Sequence, residues 1–305
     1  MGTQLPQGIQ VLERGWLSSN NIVFHDPGLP TVVDTGYGSQ RDQTLALIQA
    51  ALKGQPLQRI INTHLHSDHA GGNAVLKAHY PDCRIVIPPG LQDAVTVWDE
   101  ARLSYTATGQ HCERFLHDEV LTPGGTIRLG AHDWQVLPAA GHDHDMVMLW
   151  CDALGTLISA DALWEKGFGI IFSELVGEPG FARQQATLAL ISQLAPRLVI
   201  PGHGAPFTEV EAALATAQSR IQWLMDDPKR NADNAIKALL AFKLMAHQRL
   251  SLADIAHLIQ QSQIFNTVMK AHYPDDPALL GELFAQQLVR VGAAQRDGDD
   301  LVLKS

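Results

Sequence analysis

The sequence predicts an α+β protein: layers of sheet and helix over residues 1–210, then a small helical domain over residues 211–305. Three features predict this. Short β-branched or apolar runs bounded by Gly, Pro and Asp recur through the first part, interrupted by helix-spaced patterns. Each residue set suited to metal chemistry follows one of those runs. Beyond about residue 211 the pattern becomes helix after helix, and such sets cease.

In chain order, residues 22–24 and 31–34 read as strands around the turn Asp26-Pro27-Gly28. Ser39 is placed to cap a helix running to about Leu52, with Leu45, Ile48 and Leu52 on one face; Gly54 and Pro56 end it. Residues 57–62 form a strand. Gly71-Gly72 turns into a helix at 73–79, and residues 83–87 form a strand stopped by Pro88-Pro89. Residues 91–105 read as a helix and 110–118 as a polar segment. This stretch offers Trp98, Arg102, Tyr105 and Phe115 as pocket-lining candidates, set against their commoner role in packing or surface. Residues 126–129, 134–137, 146–150 and 156–159 read as four strands of a second sheet, followed by a helix at 181–194 and a strand at 197–200. In the tail, 209–225, 235–248, 251–260 and 278–291 read as helices, and Asp297-Gly298 punctuates a short hairpin.

The formal net charge is −10, so long-range attraction to a polyanion is disfavoured, and nucleic acid with it as a partner. From residue 221 to 305 basic and acidic residues nearly balance, without the basic excess of a DNA-reading module. A cap that could pair two chains as a homodimer is the favoured reading of the tail. Cys83, Cys112 and Cys151 are widely spaced, with no C-x-x-C pair, which predicts free thiols. No run approaches the length of a membrane span, and the first residues lack a basic start and an apolar core; the expectation is a cytoplasmic protein.

The stretch Thr63-His64-Leu65-His66-Ser67-Asp68-His69-Ala70-Gly71-Gly72 carries the chemistry. In extended chain His64 and His66 share a face, while Asp68 and His69 lie past the strand end and can aim at a second point. Imidazole and carboxylate are ligands for zinc and similar ions. Four such groups buried together without a cation would repel one another or lie unpaired.

This stretch resembles the signature of the metallo-β-lactamase superfamily, whose members are mostly dinuclear metallohydrolases. Val32-Val33-Asp34-Thr35-Gly36, Gly141-His142, Ser159-Ala160-Asp161-Ala162 and Pro201-Gly202-His203-Gly204 match its further motifs in order, over about residues 20–210. The resemblance implies a four-layer αββα sandwich and two divalent ions: zinc first, with iron or manganese as alternatives. His64, His66 and His142 would hold one ion. Asp68, His69 and His203 would hold the other, with Asp161 bridging both. Asp68 would also orient the nucleophile, a hydroxide generated on the metal pair, and Asp34 would orient metal-binding groups. His144 competes with His142 but is assigned to the surface or to a supporting place behind the ligands. Asp143 departs from the Thr usual after the Gly-His of this family.

The overall layout is similar to the β-lactamase-like protein 2 group, which joins this site to a winged-helix-like tail. Asp161 and the absence of an export signal argue against antibiotic hydrolysis. The expected function is hydrolysis of a small-molecule ester, thioester or lactone. The alternatives are a metal-dependent endoribonuclease of single-stranded RNA and, behind it, an iron-dependent persulfide dioxygenase or a winged-helix binding protein.

Overall fold

The computed structural model describes residues 3–15, 17–261 and 276–304. The first sheet runs β1 (Ile9–Leu12), β2 (Asn21–Phe24), β3 (Thr31–Val33), β4 (Arg59–Ile61), β5 (Arg84–Ile87) and β6 (Glu119–Val120), in that spatial order. β1 to β3 pair antiparallel and β3 to β6 parallel. The parallel part needs crossovers. These contain α1 (Arg41–Leu52), α2 (Ser67–Ala70), α3 (Asn73–His79), α4 (Gln92–Val97) and α5 (Tyr105–Thr108).

The second sheet is β7 (Thr126–Leu129), β8 (His132–Pro138), β9 (Val147–Cys151), β10 (Thr156–Ala160) and β11 (Leu198–Pro201). Its last pair, β10 and β11, is parallel. That crossover carries α6 (Phe172–Leu175) and α7 (Gly180–Leu194), and α8 (Val210–Asp226) follows β11.

The layering follows from period-two alternation in strands that are apolar on both faces. In β4, Ile60 faces the helices α1 and α3, and Ile61 faces the other sheet. β9 does the same: Val147, Leu149 and Cys151 enter the seam between the sheets, while Met148 and Trp150 turn outward under α7 and α8. Phe24 and Trp134 meet edge to face across the seam, with ring centroids 5.5 Å apart. The order is therefore helix, sheet, sheet, helix, as the family resemblance implies.

The tail comprises α9 (Lys229–His247), β12 (Arg249–Ser251), α10 (Leu252–Gln261), α11 (Pro277–Arg290), β13 (Ala294–Asp297) and β14 (Asp300–Leu303). The hairpin β13–β14 turns at Gly298, whose φ is +63°, and β12 adds a third strand that the sequence reading lacked. The tail's core, including Ile236, Leu240 and Phe284, is joined by Leu17 and Tyr37 from the first domain; the Tyr37 and Phe242 rings lie 5.1 Å apart. α8 packs with α7 on the second sheet rather than with this cluster.

Some predicted elements differ. Ser39 lies inside a 3-10 turn, Gly38–Gln40, and makes no cap, so α1 starts at Arg41 without one. The helix predicted over 91–105 stops at Val97. Trp98 adopts a left-handed φ of 59°, and Asp99 Oδ1 then accepts the Ala101 and Arg102 amides in a local turn. α9 starts at Lys229 rather than 235, because Pro228, with φ −58°, launches it directly from the break after α8. His25, His79, His111, His117, His132, His247 and His257 are exposed or half-buried, and His272 lies outside the described residues. The three cysteines are free and buried.

Of the four pocket candidates, three are core-facing and one is a surface residue. Tyr105 and Phe115 are buried, Trp98 packs on both, and Arg102 is exposed. The Tyr105 hydroxyl donates to the Leu65 carbonyl at 2.7 Å, pinning the backbone between His64 and His66 from below. Tyr105→Phe is expected to lower unfolding free energy by about 1–3 kcal/mol, since it strands a buried carbonyl. Urea denaturation measures it; an unchanged midpoint would mean water replaces the hydroxyl.

Candidate metal centre

All the motif residues lie at one end of the two sheets. β4 ends at Ile61 and delivers His64 three residues later; His66 then precedes α2, which carries Asp68 and His69. His142 sits in the loop between β8 and β9, Asp161 directly after β10, and His203 in the turn after β11. That turn is tied back by Asn20, whose side-chain amide donates to the Pro201 and Gly204 carbonyls. Gly202 has to be glycine: a Cβ there would overlap Asp161 Oδ1 and press on the Ala160 backbone.

Seven side chains converge. One donor atom from each of His64, His66 and His142 lies within 4.8 Å of the other two, and the same holds for Asp68, His69 and His203. His66 Nδ1 is 2.8 Å from His142 Nε2, and His203 Nε2 is 3.2 Å from Asp68 Oδ2. Asp161 faces both groups. Its Oδ2 lies 3.5 Å from His142 Nε2, and its Oδ1 lies 3.4 Å from His69 Nε2 and 3.7 Å from His203 Nε2.

The outer nitrogens fix which ring atoms face inward. The Asp34 carboxylate accepts the Thr63 amide at 2.9 Å and the Thr63 hydroxyl at 2.7 Å. With its proton so used, Thr63 Oγ1 can only accept from His64 Nδ1, 3.2 Å away, which leaves His64 Nε2 as a bare lone pair. Asp34 Oδ2 also takes His69 Nδ1 at 2.8 Å, and the Ile170 carbonyl takes His142 Nδ1 at 2.6 Å. Holding the far nitrogen in this way orients a metal-ligating imidazole. Among the described residues, His64 Nε2 and His69 Nε2 are buried and have no hydrogen-bond partner. Inward lone pairs without a donor, next to two aspartates, fit a divalent cation.

The electrostatics agree. Burial, then neighbouring imidazoles, holds His64 well below the usual histidine range. Burial also brings His66 and His142 down to about 4, so these rings are neutral at pH 7 and free to act as ligands. His69 is the exception: burial opposes its charge, but Asp161, Asp34 and Asp68 together raise it well above the ordinary value. Burial likewise opposes ionisation of Asp161, yet His203 and His69 keep it ionised. The carboxylates thus demand positive charge at the centre, which a metal ion supplies while displacing the proton.

Asp34 stands where the motif implies. His144 does not support a ligand: its side chain is 61% exposed, beside Arg183 and Glu178. Sequence reasoning missed Thr63, the Ile170 carbonyl, and Trp164, whose indole N–H donates to Asp161 Oδ1 at 3.2 Å. It noted Asp143 only as a departure; the carboxylate lies 3.6 Å from His66 Nε2, on the side away from His142. Thr63 was within reach of a local reading, as the residue between a strand and the first histidine. The others depend on tertiary contact.

A cavity of about 560 Å³ opens over these groups. Phe172 forms the wall beside His66 and His142, with ring centroids 5.5 and 5.9 Å away. α9 lines the cavity as well, through Asn234, Lys237, Ala238 and Phe242.

Comparison with known proteins agrees with this fold. The chain is 24% identical to a hydroxyacylglutathione hydrolase of Erythrobacter litoralis, over 93% of this chain and 96% of that one. It spans only 57% and 56% of the hydroxyacylglutathione hydrolases of a Synechococcus strain and Methylococcus capsulatus. A beta-lactamase domain protein from Burkholderia ambifaria has the same fold, with a TM-score of 0.60 at 21% identity, covering 99% of this chain and 94% of that one. No helix among the described residues is long and apolar enough to cross a membrane. Residues 14–203 match the metallo-beta-lactamase superfamily along their whole length, and the chain belongs to that superfamily.

Proposed function

We propose that the protein is a metal-dependent hydrolase of a small ester, thioester or lactone, working with two divalent ions. The observation that carries this reading is Asp161, which turns one carboxylate oxygen toward each ligand group. His64, His66 and His142 are assigned to one ion, Asp68, His69 and His203 to the other, and Asp161 to both. Zinc is the first choice and iron or manganese the alternatives. Such a pair supplies Lewis acidity and a nucleophile drawn from water at neutral pH.

The chain does the rest. Trp164 holds Asp161 in place through its indole N–H. Asp68 is the catalytic carboxylate: partly open to the cavity, it orients the attacking water, takes its proton and returns one to the leaving group. Phe172 keeps bulk water from the reacting carbonyl. No Ser or Cys nucleophile is required. Residues 1–210 are the catalytic unit in this reading. Residues 211–305 form the winged-helix-like cap over it, with α8 packed on the catalytic side of the division. The names of the hydroxyacylglutathione hydrolases, which are thioesterases by that name, support the thioester end of the substrate range.

Elemental analysis is expected to find about two metal ions per chain. Chelation is expected to abolish hydrolysis on an ester, thioester and lactone panel, and added zinc to restore it. Cleavage of single-stranded RNA above a His66→Ala control would replace this reading with the ribonuclease. A single iron with oxygen uptake would replace it with the dioxygenase.

A further inference from the structure

Four cations among the described residues line the same cavity: Arg14, whose guanidinium is hydrogen-bonded to Asn21, Thr44, Gln40 and Gln43, the exposed Lys166, and the pair Arg220 and Lys237. Arg220 comes from α8 and Lys237 from α9; both are half-buried and both line the cavity. Among the described residues, neither has a carboxylate within ion-pair distance, and neither makes a hydrogen bond through its side chain. Asp233, the acid nearest in sequence to Lys237, is engaged by Lys229 Nζ at 3.1 Å to each oxygen. Among the described residues, the cavity's one lining carboxylate apart from Asp68 and Asp161 is Glu165, which pairs with neither Arg220 nor Lys237.

Burial lowers the pKa of Arg220; burial also lowers that of Lys237, opposed by Asp233 one helical turn away and then reinforced by Arg220. Two like charges held half-desolvated in one cavity wall raise the energy of the free protein, and an anion that meets both removes that cost. In a chain of net charge −10, this pair is a local reversal of sign.

The placement gives a length. The Arg220 guanidinium lies 5.1 Å from the centre of the Phe168 ring, whereas Phe172 touches His66 and His142. Phe168 and Phe172 therefore give the cavity an apolar lining that reaches both the histidines and Arg220, and four residues span at most about 14 Å. On α9, Asn234, Lys237, Ala238 and Phe242 share one helical face toward the cavity, so a short polar patch is set in an apolar wall.

We infer that Arg220 and Lys237 form an anion subsite, and that the substrate is an acyl compound whose apolar arm ends in a carboxylate or phosphate. This rests on the hydrolase reading above. The scissile carbonyl lies at the His66–Asp161 end, the apolar arm runs along Phe172 and Phe168, and the terminal oxygens meet the guanidinium and ammonium. A guanidinium takes such a group through paired, charge-assisted hydrogen bonds.

The test uses the metal-loaded full chain and two p-nitrophenyl esters of equal length, the half-ester of adipic acid and the hexanoate. The wild type is expected to favour the carboxylate-ended ester by about tenfold or more in kcat/KM. Arg220→Met and Lys237→Met are each expected to reduce that ratio by about tenfold, mainly through KM. Calorimetry with the monoamide and diamide of adipic acid reads binding without turnover. The monoamide should bind more tightly, and the variants should lose that difference while melting no lower than the wild type. Hexyl phosphate in place of the monoamide separates the two anions; the tighter one names the terminal group. An unchanged ester ratio in the variants, or equal binding of monoamide and diamide, overturns the subsite. If neither ester is cleaved but the monoamide still binds through Arg220 and Lys237, the hydrolase reading falls and the subsite stands.

Discussion

Asp161→Asn is expected to lower kcat/KM by about a thousandfold or more on whichever ester the wild type cleaves, and to halve the bound metal. Asp161 is 3% exposed and is the residue whose two oxygens face both ligand groups. Asparagine keeps its shape but turns one oxygen into a donor, which then points at a histidine nitrogen or a cation. Stabilisation of developing charge by bound metal amounts to several kcal/mol, and each 1.4 kcal/mol lost is about tenfold in rate. Kinetics together with metal content measured on the same preparation check this. Full activity with about two metals per chain would remove Asp161 from the centre and with it the two-ion assignment.

Asp34→Ala should do its damage without touching a substrate. Three donors converge on this buried carboxylate: the Thr63 amide, the Thr63 hydroxyl and His69 Nδ1. Asp34 itself sits at a left-handed φ of 57°, a conformation held by its surroundings. Removing it leaves buried donors unpaired and frees both His64 and His69 to rotate. Metal affinity is expected to weaken about 10- to 100-fold, and unfolding free energy to fall by about 3 kcal/mol. Competition with a chromogenic chelator reads the first effect and urea denaturation the second. A weaker metal affinity at unchanged stability would confine Asp34 to tuning the ligands; unchanged affinity would leave it as turn chemistry alone.

The candidate centre could be proposed from the sequence because so much of it is local. His64, His66, Asp68 and His69 fall within six positions at a strand end, and the strand's apolar run announces where that end lies. His142, Asp161 and His203 are single residues, and only the order of the motifs around them connects them to the first set. The layering was legible for a similar reason: strands such as β9 are apolar at every position, which requires a partner on each face. What could not be read were places where one residue takes an unusual conformation or a distant element arrives. Trp98 breaks a helix that its neighbours favour. Tyr105 and Phe115, weighed as pocket residues against their commoner role in packing, fill the core. The cavity wall instead comes from Phe168, Phe172, Arg220 and Lys237, residues whose spacing matches no motif and whose common surface exists only after α8 and α9 have docked.

The division of donors between the sheets has a last consequence. His64, His66, Asp68 and His69 hang from the first sheet, and His142, Asp161 and His203 from the second. On the proposed assignment each ion clamps one sheet to the other, like a rivet through two plates. Melting temperature should then climb with the logarithm of free zinc, because occupancy of the native form alone shifts the folding equilibrium by mass action. Starvation for the metal would loosen the whole sandwich as well as silence it.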